Sequence, residues 1–468
     1  YNFKPLLNFI KMKKLFFFIV IVFTYLNCHA QFGEQQIIST DIAGARSVFT
    51  SDIDGDGDLD VLSASRFDDK VSWFENTDGL GDFGEEQTID TNLPFSSWVF
   101  AIDLDGDDDN DVLSLSDFDN KLVWYKNLDG LGDFSTRLTI STQVNGAISV
   151  FAIDLDGDGD NDVISSSAND NKIAWYRNDG LGNFGAQLII STNALAARQV
   201  TANDIDGDGD IDIIYAAAAA DKIIWHENTN GLGDFGNERI ISTNVNGVIS
   251  VFSQDIDGDD DMDIISTSFG GDEIAWHENI DGLGNFSPKQ IISLNVDAPR
   301  FVYAVDLDND NDIDVLSASH ADDKIAWYEN TDGVGTFGSQ QIISSFPDID
   351  AGTSVIASDI DNDGDMDVLS ASLIDAKIAW YENLTILGVR DNVLEKISFH
   401  PNPTKDYLYI DSKNIIILEI EIFDALGRYI LTEKENFNQL NLSKLKNGIL
   451  FLKIKTESGI FTTKVIKE

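Results

Sequence analysis

The sequence predicts an all-β protein, a seven-bladed β-propeller followed by a small β-sandwich, on three observations. One unit recurs seven times, opening on an acidic string at Asp52, Asp103, Asp154, Asp204, Asp255, Asp306 and Asp359, with spacings of 51, 51, 50, 51, 51 and 53. Inside each unit, short apolar and β-branched runs alternate with Asp, Asn and Gly, the pattern of strands and hairpins. After Asn383 the acidic strings stop and Lys-rich strands begin, which marks a second domain.

Each unit is expected to hold four strands. In the first, the acidic string is followed by a run from Asp60 to Ser65, a tryptophan strand from Lys70 to Asn76, a Gly-rich turn and a strand from Phe83 to Ile89. The Phe-led strand occurs at Phe32, Phe83, Phe134, Phe184, Phe235, Phe286 and Phe337, yet none follows the seventh tryptophan strand, Lys377 to Asn383. Seven complete sheets result only if the strand from Phe32 joins residues 354–383, which closes a ring over residues 31–384 and protects its edges.

The blade tryptophans, Trp73, Trp124, Trp175, Trp225, Trp276, Trp327 and Trp380, are expected to pack between blades, because a residue needed in every repeat is architecture before it is a ligand ladder. His226 and His277 occupy the slot held elsewhere by Phe74, Tyr125, Tyr176, Tyr328 and Tyr381 and read as aromatic substitutes.

The 468 residues carry 31 Lys and Arg against 81 Asp and Glu, a formal charge of −50. The first 30 residues hold four Lys and no acid, and residues 385–468 hold 12 basic and 11 acidic groups, so the excess belongs to the middle, with 15 basic and 70 acidic residues. Such a surface disfavours nucleic acid, whose binding needs a cationic face. Met12, Lys13, Lys14, the apolar run Leu15 to Leu26 and the small Ala30 read as a signal peptide over residues 12–30, and residues 1–11 as upstream translation. Twelve apolar residues reach roughly 18 Å, short of a bilayer core of about 30 Å, so no transmembrane segment is expected in the mature chain. Lipidation at Cys28 is the rival reading, but Asn27 stands where a small residue is wanted. Cys28 is the only cysteine, so no disulfide braces the mature fold.

The acidic strings supply another brace. Asp occupies positions 1, 3, 5, 7 and 9 of every string: Asp52, Asp54, Asp56, Asp58 and Asp60; Asp103, Asp105, Asp107, Asp109 and Asp111; Asp154, Asp156, Asp158, Asp160 and Asp162; Asp204, Asp206, Asp208, Asp210 and Asp212; Asp255, Asp257, Asp259, Asp261 and Asp263; Asp306, Asp308, Asp310, Asp312 and Asp314; Asp359, Asp361, Asp363, Asp365 and Asp367. These 35 residues are half of the 70 acids. Short carboxylates on alternate residues of a tight loop suit Ca²⁺, which takes six to eight hard oxygen ligands, with up to seven sites expected. Position 7 is expected to offer its carbonyl and leave its side chain to water. Solvated acidic turns are the plainer reading, but two carboxylates about 4 Å apart repel by roughly 4 kcal/mol at an effective dielectric near 20, and seven such clusters need a cation. Position 6 should take φ > 0 and holds Gly57, Gly159, Gly209 and Gly364, with Asp108, Asp260 and Asn311 in the second, fifth and sixth units, where binding is expected to be weaker. Position 12 is Ser or Tyr, not the Glu an EF-hand requires, and a strand follows, not a helix.

Asp-x-Asp-x-Asp-Gly-x-x-Asp followed by a strand, repeated over residues 31–384 in seven units of which the second, fifth and sixth depart at the Gly, resembles the FG-GAP/VCBS repeat of integrin α-subunit propellers and many bacterial surface proteins. The resemblance implies a calcium-braced propeller and transfers no particular ligand.

The last 78 residues carry Phe399 to Ile410 with its His-Pro-Asn-Pro segment, Ile422 to Arg428, Leu442 to Gly448 and a Thr462 to Glu468 terminus. In this order they resemble the type A sorting domain of the type IX secretion system, a small Ig-like β-sandwich. The resemblance implies export across the outer membrane, with the secretion machinery as partner of residues 391–468, then release or anchoring at the cell surface. A linker is expected over 385–390. Asp424 to Arg428 and Lys446 to Gly448 read as hairpin turns, and an adhesive Ig-like module is the alternative.

Two functions compete: an extracellular recognition or adhesion module for glycan or protein, and a polysaccharide-degrading lyase or glycosidase on the same scaffold. The chain has no Gly-x-Ser-x-Gly, His-Glu-x-x-His or P-loop signature, and the regular Asp residues are assigned to metal, which favours the non-enzyme. The recognition face is expected opposite the acidic loops, where otherwise regular slots become irregular: Arg46, Arg198 and Arg300 in one, Trp98 and Phe301 in the next, with Arg66 and His320 from neighbouring loops. Guanidinium groups and aromatic rings there suit an anionic or sugar ligand, whereas plain charge compensation is the competing role.

Overall fold

A computed structural model describes residues 31–385, 398–412, 417–424, 428–434, 437–456 and 459–468. The expected leader, with Cys28, and most of the expected linker lie outside the described residues. The chain divides between Leu384 and Thr385 into two compact units.

The first unit holds seven four-stranded antiparallel sheets. In blade 1 these are Ala45–Ser51, Asp60–Ser65, Lys70–Phe74 and Gln87–Asp90, paired in that order. All six residues of Asp60–Ser65 are buried, because both faces of this strand meet a neighbouring blade. First strands adjoin one another around the ring, and Gly352–Ser358 of the seventh blade meets Ala45–Ser51 of the first. The ring is closed.

Closure uses the N-terminal strand. Gln36–Ser39 pairs antiparallel with Lys377–Tyr381, outermost in a sheet whose other members are Asp367–Ser372 and Gly352–Ser358. Phe32 bridges Asn383, and the Leu384 amide donates to the Gln31 carbonyl at 2.7 Å. The expected Phe-led strand starts later than predicted: Phe83 makes an isolated bridge to Asn76, and the regular strand begins at Gln87.

Every blade tryptophan is between 1% and 4% exposed. Trp73 packs with Leu62 and Val71 of its own blade and Val99, Val112 and Tyr125 of the next. Above it lies Gly132, with φ +83°, where a Cβ atom would stand 2.3 Å from the indole ring. Only glycine fits a left-handed turn pressed onto a ring. His226 and His277 are buried in the aromatic slot, and His226 stacks on Tyr215 at 5.8 Å.

In the second unit a three-stranded sheet, Ser398–His400, Tyr407–Asp411 and Gln439–Asn441, accompanies a four-stranded one, Tyr429–Glu433, Ile417–Asp424, Gly448–Thr456 and Gly459–Lys467. Leu408, Ile410 and Leu440 from the first share a core with Ile420, Ile422, Leu452 and Val465 from the second, as in a sandwich. Lys446 to Gly448 is not the expected hairpin turn: the strands on either side belong to different sheets, so the segment crosses between them.

Candidate metal sites and ligand face

The acidic string is a loop wound around its own carboxylates. Asp52 accepts hydrogen bonds from the amides of Gly55 at 2.7 Å and Gly57 at 3.1 Å, while Asp56 accepts from Asp58 at 2.9 Å. Asp60, 1% exposed at the start of the second strand, accepts from the amides of Ile53 at 2.9 Å and Asn76 at 2.8 Å. Position 6 takes positive φ in all seven loops, including Asp108 at 70°, Asp260 at 72° and Asn311 at 72°. Position 4 does the same, with Asn309 and Asn362 replacing glycine in blades 6 and 7, a constraint that the sequence pattern alone did not expose.

This winding brings positions 1, 3 and 9 together. One oxygen each of Asp52, Asp54 and Asp60 lies within 4.8 Å of the others, as in Asp103, Asp105 and Asp111, in Asp154, Asp156 and Asp162, and in Asp204, Asp206 and Asp212; in blade 5 the trio is Asp255, Asp257 and Asp259. Position 7 does not join these trios. The Asp58 carboxylate is turned onto the glycine turn of its own blade, 2.4 Å from where a Gly79 Cβ would stand, and Asp109 meets Gly130 in the same way.

The donor set fits a hard cation. Among the described residues, Oδ1 of Asp105, Asp156, Asp206, Asp257 and Asp308 at position 3, and of Asp306 and Asp359 at position 1, is buried without a hydrogen-bond partner. Burial, only partly offset by two amide donors, pushes the position-9 carboxyls Asp60, Asp111, Asp162, Asp212, Asp263 and Asp367 up to about 7 and Asp314 to about 8. Burial and then the adjacent position-5 carboxylate push Asp308 to about 7 and Asp257 and Asp361 to about 6. Carboxyls pushed toward neutrality by burial and then by one another are those a cation would hold ionised.

One further slot touches these loops. Two residues after the tryptophan stand Glu75, Glu227, Glu278, Glu329 and Glu382, but Lys126 and Arg177 in blades 2 and 3. Lys126 Nζ donates to Asp107 at 2.8 Å and also contacts Asp105. Arg177 pairs with Asp156 at 2.7 Å and with Asp158 at 2.9 Å.

On the opposite face, the connection between blades is tied to the loop joining second and third strands. The Leu93 amide donates to the Asp69 carbonyl, and the Phe95 amide to the Asp69 carboxylate, both at 2.9 Å. Arg66 pairs with Asp117 at 3.3 Å and lies 5.1 Å over the Phe95 ring, which stacks on Phe118 at 5.6 Å. Phe67 and Phe118 are 61% and 70% exposed.

The expected ligand-face residues fall into separate groups. Arg46, Arg198 and Arg300 sit where the first strand of their blades slips register, a bulge that re-aims side chains. Arg198 has Asp117 and Arg66 as charged neighbours, and Arg300 neighbours His320 and faces Phe269 at 5.7 Å. Burial holds both guanidinium groups below their ordinary range, and the Nε of each is buried without a hydrogen-bond partner. Arg46 is half-buried. Trp98 and Phe301, from blades three steps apart in the ring, touch at 5.9 Å across its axis, so they plug the channel. Phe67, Phe95, Phe118 and Asp117 were not singled out in the sequence, because their slots vary from blade to blade and carry no repeated signal.

The FG-GAP-like repeat family matches six overlapping stretches, residues 52–114, 103–165, 154–215, 204–266, 255–317 and 306–370. The chain belongs to the FG-GAP-like repeat family. The C-terminal unit of this FG-GAP protein, residues 398–468, matches the secretion system C-terminal sorting domain, so the chain is exported by the type IX system to the cell surface or beyond it. No helix among the described residues is long and apolar enough to cross a membrane. A 97-residue stretch is 26% identical to the ulvan lyase NLR42 of Nonlabens ulvanivorans, covering 20% of this chain and 18% of that protein. Among solved structures, BBS1N in complex with ARL6DN superposes with a TM-score of 0.52 at 11% identity over 75% of this chain and 96% of its own, a likeness of fold. An Agrocybe aegerita lectin that recognises non-reducing terminal N-acetylglucosamine gives 0.49 at 18% identity over 65% of this chain and 81% of its own.

Proposed function

We propose that this FG-GAP propeller is a non-enzymatic extracellular recognition module, braced by calcium at its acidic loops, that binds a glycan on the opposite face. The observation that carries the glycan reading is the surface of blades 1 and 2, where exposed Phe67 and Phe118 flank Phe95 and the Arg66–Asp117 pair. Aromatic faces stack on the apolar side of a sugar ring, while guanidinium and carboxylate groups take its hydroxyls or acid groups. Calcium is favoured over magnesium because loop carboxylates form a flexible, all-protein cage that suits the larger ion. A glycan array probed with the full chain, with and without EDTA, tests the reading. Binding that weakens in both Phe67→Ala and Phe118→Ala supports it, and absence of any glycan signal sinks it.

The partial match to an ulvan lyase favours a second reading, a polysaccharide-degrading enzyme. New reducing or unsaturated ends released from a polysaccharide panel by the purified chain would favour that reading over the first.

A further inference from the structure

We infer that the seven acidic loops are of two kinds: five take calcium, and those of blades 2 and 3 carry a cation of their own, Lys126 or Arg177. The inference rests on the calcium reading above and adds which loops use it. The slot two residues beyond the tryptophan sets the class. In blades 1, 4, 5, 6 and 7 it holds Glu, a sixth acidic group beside five Asp carboxylates. In blades 2 and 3 it holds a permanent positive charge, a difference of two units at one point of the loop.

Geometry makes the substitution specific. Lys126 reaches Asp105 and Asp107, and Arg177 reaches Asp156 and Asp158, which are positions 3 and 5 in both loops. Position 3 belongs to the converging trio, so the side-chain cation engages one of the three carboxylates that a metal ion would need. A second, divalent cation there would meet like charge and compete for that carboxylate. In blade 4 the residue of this slot, Glu227, adds negative charge beside the corresponding Asp206 and itself pairs with Arg239, while Oδ1 of Asp206 is buried without a hydrogen-bond partner, as are those of Asp105 and Asp156. Arg177 and Lys126 follow one another around the ring, so the metal-independent loops are adjacent and form one arc.

Counting bound calcium by native mass spectrometry on the full chain tests this. Wild type should hold five ions, Lys126→Glu six, Lys126→Glu with Arg177→Glu seven, and Glu227→Lys four. A wild-type count other than five, or an unchanged count in the charge reversals, overturns the inference. If no calcium binds to any form, the calcium reading itself falls with it. Should Lys126→Glu fail to fold, the wild-type count and the loss of one ion in Glu227→Lys still decide the matter.

Discussion

Asn76 donates from Nδ2 to the main-chain carbonyl of Ile360 at 2.8 Å, a buried hydrogen bond between residues 284 positions apart that links blade 1 to the acidic loop of blade 7. The same asparagine donates its amide to Asp60 of its own loop, and its Oδ1 accepts from Gly81 at 3.1 Å. Asn127 repeats the link to Ile53 at 2.8 Å, and Asn383 to Leu307 at 2.7 Å. Each acidic loop is therefore held by the asparagine of the following blade, so loop conformation and ring closure are coupled.

Asn76→Ala should leave the Ile360 carbonyl and the Gly81 amide without this partner in a buried seam. The expected loss is about 2 kcal/mol, read by urea denaturation at fixed calcium. A change within about 0.5 kcal/mol, typical of surface substitutions, would show that the clamp contributes nothing.

Removing calcium should lower the melting temperature. Each site adds RT ln(1 + [L]/Kd), about 2.7 kcal/mol at a hundredfold excess over Kd. Calorimetry with and without EDTA reads the difference; identical curves would refute calcium bracing.

Deleting residues 31–39 should open the ring. The edge of Lys377–Tyr381 loses its partner and becomes free to pair with another chain. Light scattering should then report dimers or larger species, and a monomer with unchanged melting would contradict the closure.

Burial holds the His277 imidazole down at about 4, against an ordinary 6.5. Above 6.5 the ring is neutral whether folded or not, and its full stability is present; as pH falls from 6.5 toward 4 the unfolded chain takes a proton that the folded one refuses, and stability is lost. His277→Tyr, the residue of four other blades, removes this penalty. The variant's stability relative to wild type should rise by about 2 kcal/mol between pH 7.5 and pH 5, measured at constant calcium. A difference that does not move with pH would mean the ring protonates in place.

Arg198→Ala and Arg300→Ala should weaken glycan binding without lowering stability, because each removes a largely buried cation whose Nε lacks a hydrogen bond. Arg46→Ala, added to them, tests the remaining bulge position. Unchanged affinity in the triple variant would exclude these arginines from the site.

The repeat was legible in the chain because a propeller blade imposes the same local demands each time: carboxylates at alternate loop positions, positive φ at position 6, and an aromatic ring under each glycine turn. Even the ring's closure could be counted, from a Phe32 strand with no tryptophan strand of its own. The tertiary structure alone decided what depends on neighbours from other blades. Asn76 and its equivalents only close the tryptophan strand in the sequence, and the fold alone sets Ile360 opposite. Trp98 and Phe301 looked like ligand platforms until the ring brought them together across its axis. Lys126 and Arg177 carry no repeated signal, and only folding set them on Asp105 and Asp156. Periodicity reports what each blade needs for itself, whereas contacts across the seam and the axis join residues with no fixed spacing along the chain.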